Sequence, residues 1–306
     1  MDRLLTLLIF LLTALSRFAK PLSRWGLGVY EQWQPGQPLK LLLVGYNGAR
    51  NTGSDVRVAA ITEQLYDLFG PEEIELTVMT LDEQAVAGYF DADVKLLPFS
   101  SLFPLDLYRA CSAHHAALLC EGSTLKSTFA NALTLFLCEA AGIMARQGKP
   151  CVGYGSEVGE MAPFLRRSAA RLCRETYFMT RTRASLARLE ELGLRGSAGT
   201  DTAWCYHRAI CASGAEALLR AQGWDGERPL LGVAVIDPFC WPVRSSLWRW
   251  VRGHVTGDLS QQYDKWYFFS DSTRRRADYQ RYIRELAAGA ERSGSGCPLE
   301  GAECSE

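Results

Sequence analysis

Apolar and polar positions alternate along the chain in two kinds of run. Leu39-Lys40-Leu41-Leu42-Leu43-Val44 is short, almost wholly apolar and closed by Gly45. That pattern predicts a parallel strand buried on both faces. Residues 56–69 follow with Val58, Ile61, Leu65 and Leu68 spaced three or four apart, one face of a helix, and Gly70-Pro71 stops it. Further strands are predicted over 74–79, 94–97, 116–120, 151–154 and 177–180, and further helices over 128–147, 163–175 and 184–192. Strands that alternate with helices imply a parallel sheet covered on both sides. Ligands of such sheets bind at the loops leaving the carboxyl ends of the strands, here the loops after Val44, Cys120, Tyr154 and Thr180.

The ends of the chain break this rhythm. Leu4 to Leu15 is apolar apart from Thr6 and Thr13, with Arg3 before it and Arg17, Lys20 and Arg24 after it. As a helix it spans about 18 Å, short of the ~30 Å hydrocarbon core of a bilayer. The stretch Ser16-Arg17-Phe18-Ala19-Lys20 is a poor cleavage site for a secretory signal. Two readings stand: an interfacial anchor helix over residues 1–25, or a helix packed on the protein itself. Pro35-Gly36-Gln37-Pro38 reads as the linker into the first domain, and residues 291–306 read as a tail.

A length of 306 residues suggests two domains. The 33 Lys and Arg balance 34 Asp and Glu, so composition points away from a nucleic-acid partner. None of the ten cysteines forms a C-x-x-C pair and several sit in apolar runs, which fits buried thiols in a reducing, cytoplasmic compartment. No His-x-His or His-Glu-x-x-His spacing suggests a metal, and His114-His115 is read as structural.

The strand-end loops carry the candidate chemistry. The first, Gly45-Tyr46-Asn47-Gly48-Ala49-Arg50-Asn51-Thr52-Gly53-Ser54-Asp55, is rich in Gly and Asn and opens a helix whose first N–H groups favour anions. It matches neither a dinucleotide fingerprint nor a P-loop, and its plain reading is a turn with Ser54 or Asp55 as the helix cap. Glu121-Gly122-Ser123-Thr124-Leu125-Lys126-Ser127 adds a lysine and three hydroxyls. The loop after the fifth strand adds Glu157 and Glu160, candidates for proton transfer or plain surface carboxylates. Arg181 stands where a strand passes into a helix and can grip a carboxylate or phosphate with two parallel hydrogen bonds. Together these residues predict an anionic, phosphorylated small-molecule ligand and no cofactor.

These loops also resemble those of the polysaccharide pyruvyl transferases. The similarity rests on Gly45-Tyr46-Asn47-Gly48-Ala49-Arg50-Asn51-Thr52-Gly53 and Glu121-Gly122-Ser123-Thr124, on Arg181-Thr182-Arg183-Ala184-Ser185 running to Leu192-Gly193, and on Asp201. It covers about residues 39–205 and departs from the family pattern where Ser54 precedes Asp55 and where Thr182 replaces an Asp. The resemblance implies a two-domain fold like the glycosyltransferase-B enzymes. It also implies transfer of a pyruvyl group from phosphoenolpyruvate to a sugar of a polysaccharide or lipid-linked glycan. Arg181 inherits donor binding; Glu157, read from its loop, is the second catalytic candidate. Asn47, Gly48, Arg50, Asn51, Gly122, Ser123, Lys126, Ser185 and Asp201 would line the substrate site. A nucleotide-sugar glycosyltransferase and an inactive glycan-binding relative are the alternatives.

After residue 205 the pattern thins. Leu230-Leu231-Gly232-Val233-Ala234-Val235 is the one clear strand, and residues 206–290 read as a partial second α/β domain of a shortened or fragmentary chain. Trp241, Trp248, Trp250 and Trp266 lie there among arginines, a composition that suits helix packing or stacking on a sugar.

Overall fold

The computed structural model describes residues 2–49, 51–91, 93–206, 212–227, 230, 241, 243–259, 262, 267–270 and 276–292. Arg50, Trp266, residues 231–235 of the strand expected over 230–235 and the tail after Arg292 lie outside the described residues. The chain divides into two compact bodies, Met1–Tyr206 with Pro242–Ser270, and His207–Trp241 with Asp271–Glu306.

The first body is built on seven parallel strands: β1 (Leu39–Asn47), β2 (Ile74–Thr80), β3 (Lys95–Pro98), β4 (Ala116–Leu119), β5 (Cys151–Ser156), β6 (Tyr177–Thr180) and β7 (Arg195–Ala198). Their order across the sheet is β3-β2-β1-β4-β5-β6-β7. The direction of winding reverses between β1 and β4, and in sheets of this kind the crevice at that reversal holds the ligand. All six strands expected from the apolar runs between residues 39 and 180 are present. The seventh was not expected, because Arg195-Gly196-Ser197-Ala198 has no apolar run and pairs only with β6 at the sheet edge.

β1 shows why its sequence is continuously apolar. Leu42 and Val44 enter one buried cluster, while Leu41 and Leu43 enter the cluster on the opposite face. On the second face lies α3 (Thr52–Phe69), seated through Val58 and Ile61. Its outer end departs from the expected stripe, since Leu68 is 75% exposed. The first face is covered by α1 (Asp2–Leu15), α4 (Phe103–Ala113), α5 (Asn131–Arg146) and α6 (Pro163–Leu172). A short helix α2 (Ala19–Arg24) follows α1, and α7 (Arg183–Glu191) joins β6 to β7. Gly142 of α5 marks the closest approach: a Cβ there would lie 2.8 Å from Leu172 of α6 and 3.0 Å from Thr13 of α1.

Cys111, Cys120, Cys138, Cys151 and Cys173 are free and buried. His114 places Nδ1 2.7 Å from the Ala110 carbonyl, and His115 accepts the Lys40 N–H at 3.0 Å, so both serve the backbone.

Residues 243–270 add a short antiparallel pair to this body, β8 (Val243–Ser245) and β9 (Phe268–Ser270), with α9 (Leu247–Thr256) between them. The Val243 N–H donates to the Phe129 carbonyl at 2.7 Å, and the Tyr267 hydroxyl to Ser101 at 2.9 Å. On α9, Trp250 packs against His254 with ring centroids 4.4 Å apart, while Trp248 faces solvent. The second body contributes α8 (Ala212–Ala221) and α10 (Arg276–Arg292). In it Arg220 pairs with Glu216 at 2.8 Å and donates to the Asp225 carbonyl, which ties off the end of α8.

One core residue violates the pattern around it. Glu139, in the middle of α5, is fully buried and neither carboxylate oxygen has a hydrogen-bond partner among the described residues. Burial alone pushes its pKa well above the ordinary carboxylate range. In the unfolded chain this group ionises near its ordinary pKa, so above that pH the unfolded state holds fewer protons than the folded one. Stability therefore falls as pH rises towards the folded-state pKa. Glu139→Gln is expected to abolish that part of the slope, and Glu139→Leu to raise stability at neutral pH by about 1–3 kcal/mol. Urea unfolding at a series of pH values measures both.

Candidate functional site

The site grows from the carboxyl ends of β1, β4, β5 and β6. At the end of β1 the register against β2 shifts between Leu43 and Asn47, re-aiming the strand before its loop. Asn47 is buried and donates through Nδ2 to the Met79 carbonyl at 3.0 Å. Gly48 turns the chain at φ 78°. Asn51 is the N-cap of α3, accepting from the Ser54 N–H. The expected cap, Ser54 or Asp55, is thus corrected: the helix begins earlier and both residues fall inside its first turn, buried. Ser54 donates its hydroxyl to Glu121 at 3.3 Å. Asp55 meets no hydrogen-bond partner of good geometry among the described residues. Burial raises its pKa, reinforced by the charge of Glu121 and only partly offset by the Gly48 N–H.

Glu121 and Gly122 bind the loops together. The Glu121 carboxylate accepts the N–H groups of Tyr46 (3.3 Å) and Ser123 (3.1 Å) besides the Ser54 hydroxyl. It thereby clamps the β1 loop to the β4 loop across the winding reversal. The Gly122 carbonyl accepts the Glu157 N–H at 2.7 Å, and Leu125 exchanges backbone hydrogen bonds with Glu157 and Gly159. The β5 loop is held in turn to β6, where the Arg181 N–H donates to Ser156 at 2.9 Å. Ser185, buried in α7, accepts the Val158 N–H through its hydroxyl at 3.2 Å. Thr182 caps α7 through the Ser185 N–H.

On this scaffold five charged side chains form an alternating chain. Arg57 of α3 donates Nε to Asp201 at 2.9 Å and Nη2 to the Gly155 carbonyl at 2.7 Å. Asp201 also accepts from Arg181 Nη1 at 2.9 Å. Nη2 of Arg181 pairs with Glu157 Oε2, the same oxygen that Lys126 meets at 3.0 Å. Three cations against two anions leave one positive charge. For both acids burial opposes ionisation but loses. The hydrogen bond from Lys126 and the charge of Arg181 hold Glu157 below its ordinary pKa, and the Ala203 N–H with Arg57 and Arg181 does the same for Asp201. Burial works against the charge on Arg181, and its bonds to Asp201 and Glu157 more than restore it. Two glycines make room: a Cβ on Gly122 would collide with the Arg57 guanidinium and stand 3.1 Å from Arg181, and one on Gly155 would stand 2.7 Å from Arg57.

Lys126, Glu157, Arg181, Ser185 and Arg188 border an open depression of about 440 Å³. The structure thus joins Gly122, Lys126, Glu157, Arg181, Ser185 and Asp201 around one charged edge. Asn47, Gly48, Asn51 and Ser123 shape the neighbouring loops through backbone contacts, and Arg50 lies outside the described residues. Arg57 was missed. Within the helical pattern of 56–69 it reads as a solvated charge, and its partner Asp201 lies 144 residues away. Its position in the second turn of the helix that follows a glycine-rich loop was the available signal. The other arginines of 166–195 behave as expected: Arg166, Arg174, Arg188 and Arg195 pair at 3.8–3.9 Å near the surface, contacts that contribute little.

Fold and site define an α/β protein with a seven-stranded parallel sheet and a charged cleft at its carboxyl edge. The sequence matches no protein-family model and no curated protein.

Proposed function

We propose that the protein is a pyruvyltransferase of the glycosyltransferase-B type, taking phosphoenolpyruvate as donor and a polysaccharide or lipid-linked glycan as acceptor in the cytoplasm. The observation that carries this reading is the pairing of Arg181 and Lys126 on Glu157, beside an open depression with a net positive charge. A donor with a carboxylate and a phosphate needs two such cationic groups. In the reaction the enol carbon gains a proton, a sugar hydroxyl adds to the neighbouring carbon, phosphate departs with its bridging oxygen, and a second hydroxyl closes the ketal. Glu157 is held ionised, which suits a proton acceptor for a hydroxyl and not a donor to carbon.

The strand order supports one rival, a nucleotide-sugar glycosyltransferase, because β3-β2-β1-β4 is also the order that binds nucleotides at the β1/β4 reversal. Titration calorimetry separates the two. Phosphoenolpyruvate is expected to bind, and Arg181→Ala to weaken it about 10–100-fold, the worth of a lost charge-assisted pair. Equal affinity of the two proteins sinks the donor assignment. Saturable UDP or GDP binding without phosphoenolpyruvate binding selects the rival.

A further inference from the structure

The amino-terminal helices carry their polarity the wrong way round for a soluble core. α1 turns Leu5, Ile9 and Thr13 inward, and the next turns add Ser16 and Ala19. Thr13 sits there with its hydroxyl unpartnered among the described residues. The outward residues are the more apolar set: Leu4, Leu7, Leu8, Leu11 and Leu15, continued by Phe18, Leu22 and Trp25. Leu7 is 66% exposed and Trp25 82%. At about 3.6 residues per turn, the five leucines share one helical face. A helix of a soluble domain buries its apolar stripe and shows its polar one, and a contiguous exposed patch of this kind marks an interaction surface.

Charge identifies the occupant. From Arg3 to Tyr30 the chain contains no acidic residue, while Arg17, Lys20 and Arg24 stand exposed beside the apolar face. The Arg17 guanidinium lies 4.5 Å from the Phe18 ring, and Arg171 reaches from α6 to within 5.1 Å of the Phe10 ring. Leucines and aromatics bordered by cations of one sign fit lipid tails under anionic headgroups. Two copies of this face would instead bring like charges together.

Orientation follows from packing. Leu4–Arg24 is long and apolar enough, by length and composition, to cross a membrane. Yet Leu5 and Ile9 belong to the buried cluster on the sheet, and Thr13 fits against Gly142 of α5. Crossing would strip those contacts, whereas lying flat keeps them and buries the outward leucines. We propose that the outward face of α1 and α2 docks the protein in the plane of an anionic lipid surface. This inference is independent of the chemistry at the cleft.

Flotation of the 306-residue chain with vesicles of phosphatidylcholine, with and without about one-third phosphatidylglycerol, tests it. The expected result is binding to the anionic vesicles, reduced at least tenfold in Leu7→Glu/Leu11→Glu and weakened by salt. Leu68→Glu, an equally exposed leucine on α3, is expected to float as the wild type does. The variants' circular dichroism and melting curves should match the wild type, since neither Leu7 nor Leu11 is buried. Failure of the wild type to float, or unchanged flotation of the double variant, overturns the proposal. So does a solution dimer that the double variant dissolves without vesicle binding, which would make a second copy the occupant. Bound protein that resists alkaline carbonate extraction shows that the helix crosses, and overturns the in-plane orientation.

Discussion

Arg57→Ala is expected to lower stability by about 3–5 kcal/mol, the cost of breaking one side of a buried ion pair. At about 2–4 °C per kcal/mol this is a fall of order 10 °C in Tm. The reason lies in what the guanidinium leaves behind. Its Nε and Nη2 serve two different acceptors, the Asp201 carboxylate and the Gly155 carbonyl, from a side chain that is itself 6% exposed. Alanine leaves the carbonyl short of a donor and Asp201 with Arg181 as its one cationic partner beside the Ala203 N–H. Arg57→Lys is expected to recover only part of the loss, because one ammonium cannot reproduce the planar fork. Arg181→Ala makes the opposite case. Its side chain is more than a quarter exposed, so its stability cost is expected to be about 1 kcal/mol, while the loss of donor binding is large. Thermal melts of the three variants decide the matter: an Arg57→Ala protein as stable as the wild type would show that the buried pair is not what fixes Asp201.

Gly48→Ala is the second large effect. At φ 78° a Cβ costs about 1–2 kcal/mol. It would also stand 2.7 Å from the Asp82 backbone nitrogen and oxygen and collide with the Thr80 hydroxyl, and overpacking of this kind adds about 1–3 kcal/mol. The backbone of the β1 loop must move, and the Glu121 clamp on Tyr46 and Ser54 moves with it. Gly53→Ala provides the control five residues on. That glycine lies in α3 with its nearest neighbour, Asn51 Oδ1, at 3.5 Å from the added Cβ, so the change is expected to be neutral or to stabilise by about 0.5–1 kcal/mol. Equal melting temperatures for the two variants would mean that Gly48 is not strained.

Much of the framework was legible because burial on two faces forces an apolar run. β1, β2, β4 and β5 have that signature, and the helices between them keep a three-or-four spacing. Where burial is one-sided or absent the signal vanishes. β7 is an edge strand of Arg, Gly, Ser and Ala, and α4 begins at Phe103-Pro104 without a capping residue. The site was half legible. Arg181 and Lys126 stood out because a cation at a strand end is unusual, and Glu157 because it follows a glycine turn. Arg57 and Asp201 did not stand out as a pair, since neither residue type nor spacing carries information about a partner 144 positions away.

By itself the sequence determined the parallel sheet, the loops that leave its carboxyl edge and the apolar character of the amino-terminal helix. All three follow from local composition. The tertiary structure decided which side of that helix meets the core, because periodicity shows that a helix is apolar but not which face a sheet will cover. It decided also that the cations of the cleft are shared between Asp201 and Glu157. Ion pairing depends on distance in space, and only the folded sheet brings the ends of β1, β4, β5 and β6 within reach of one another.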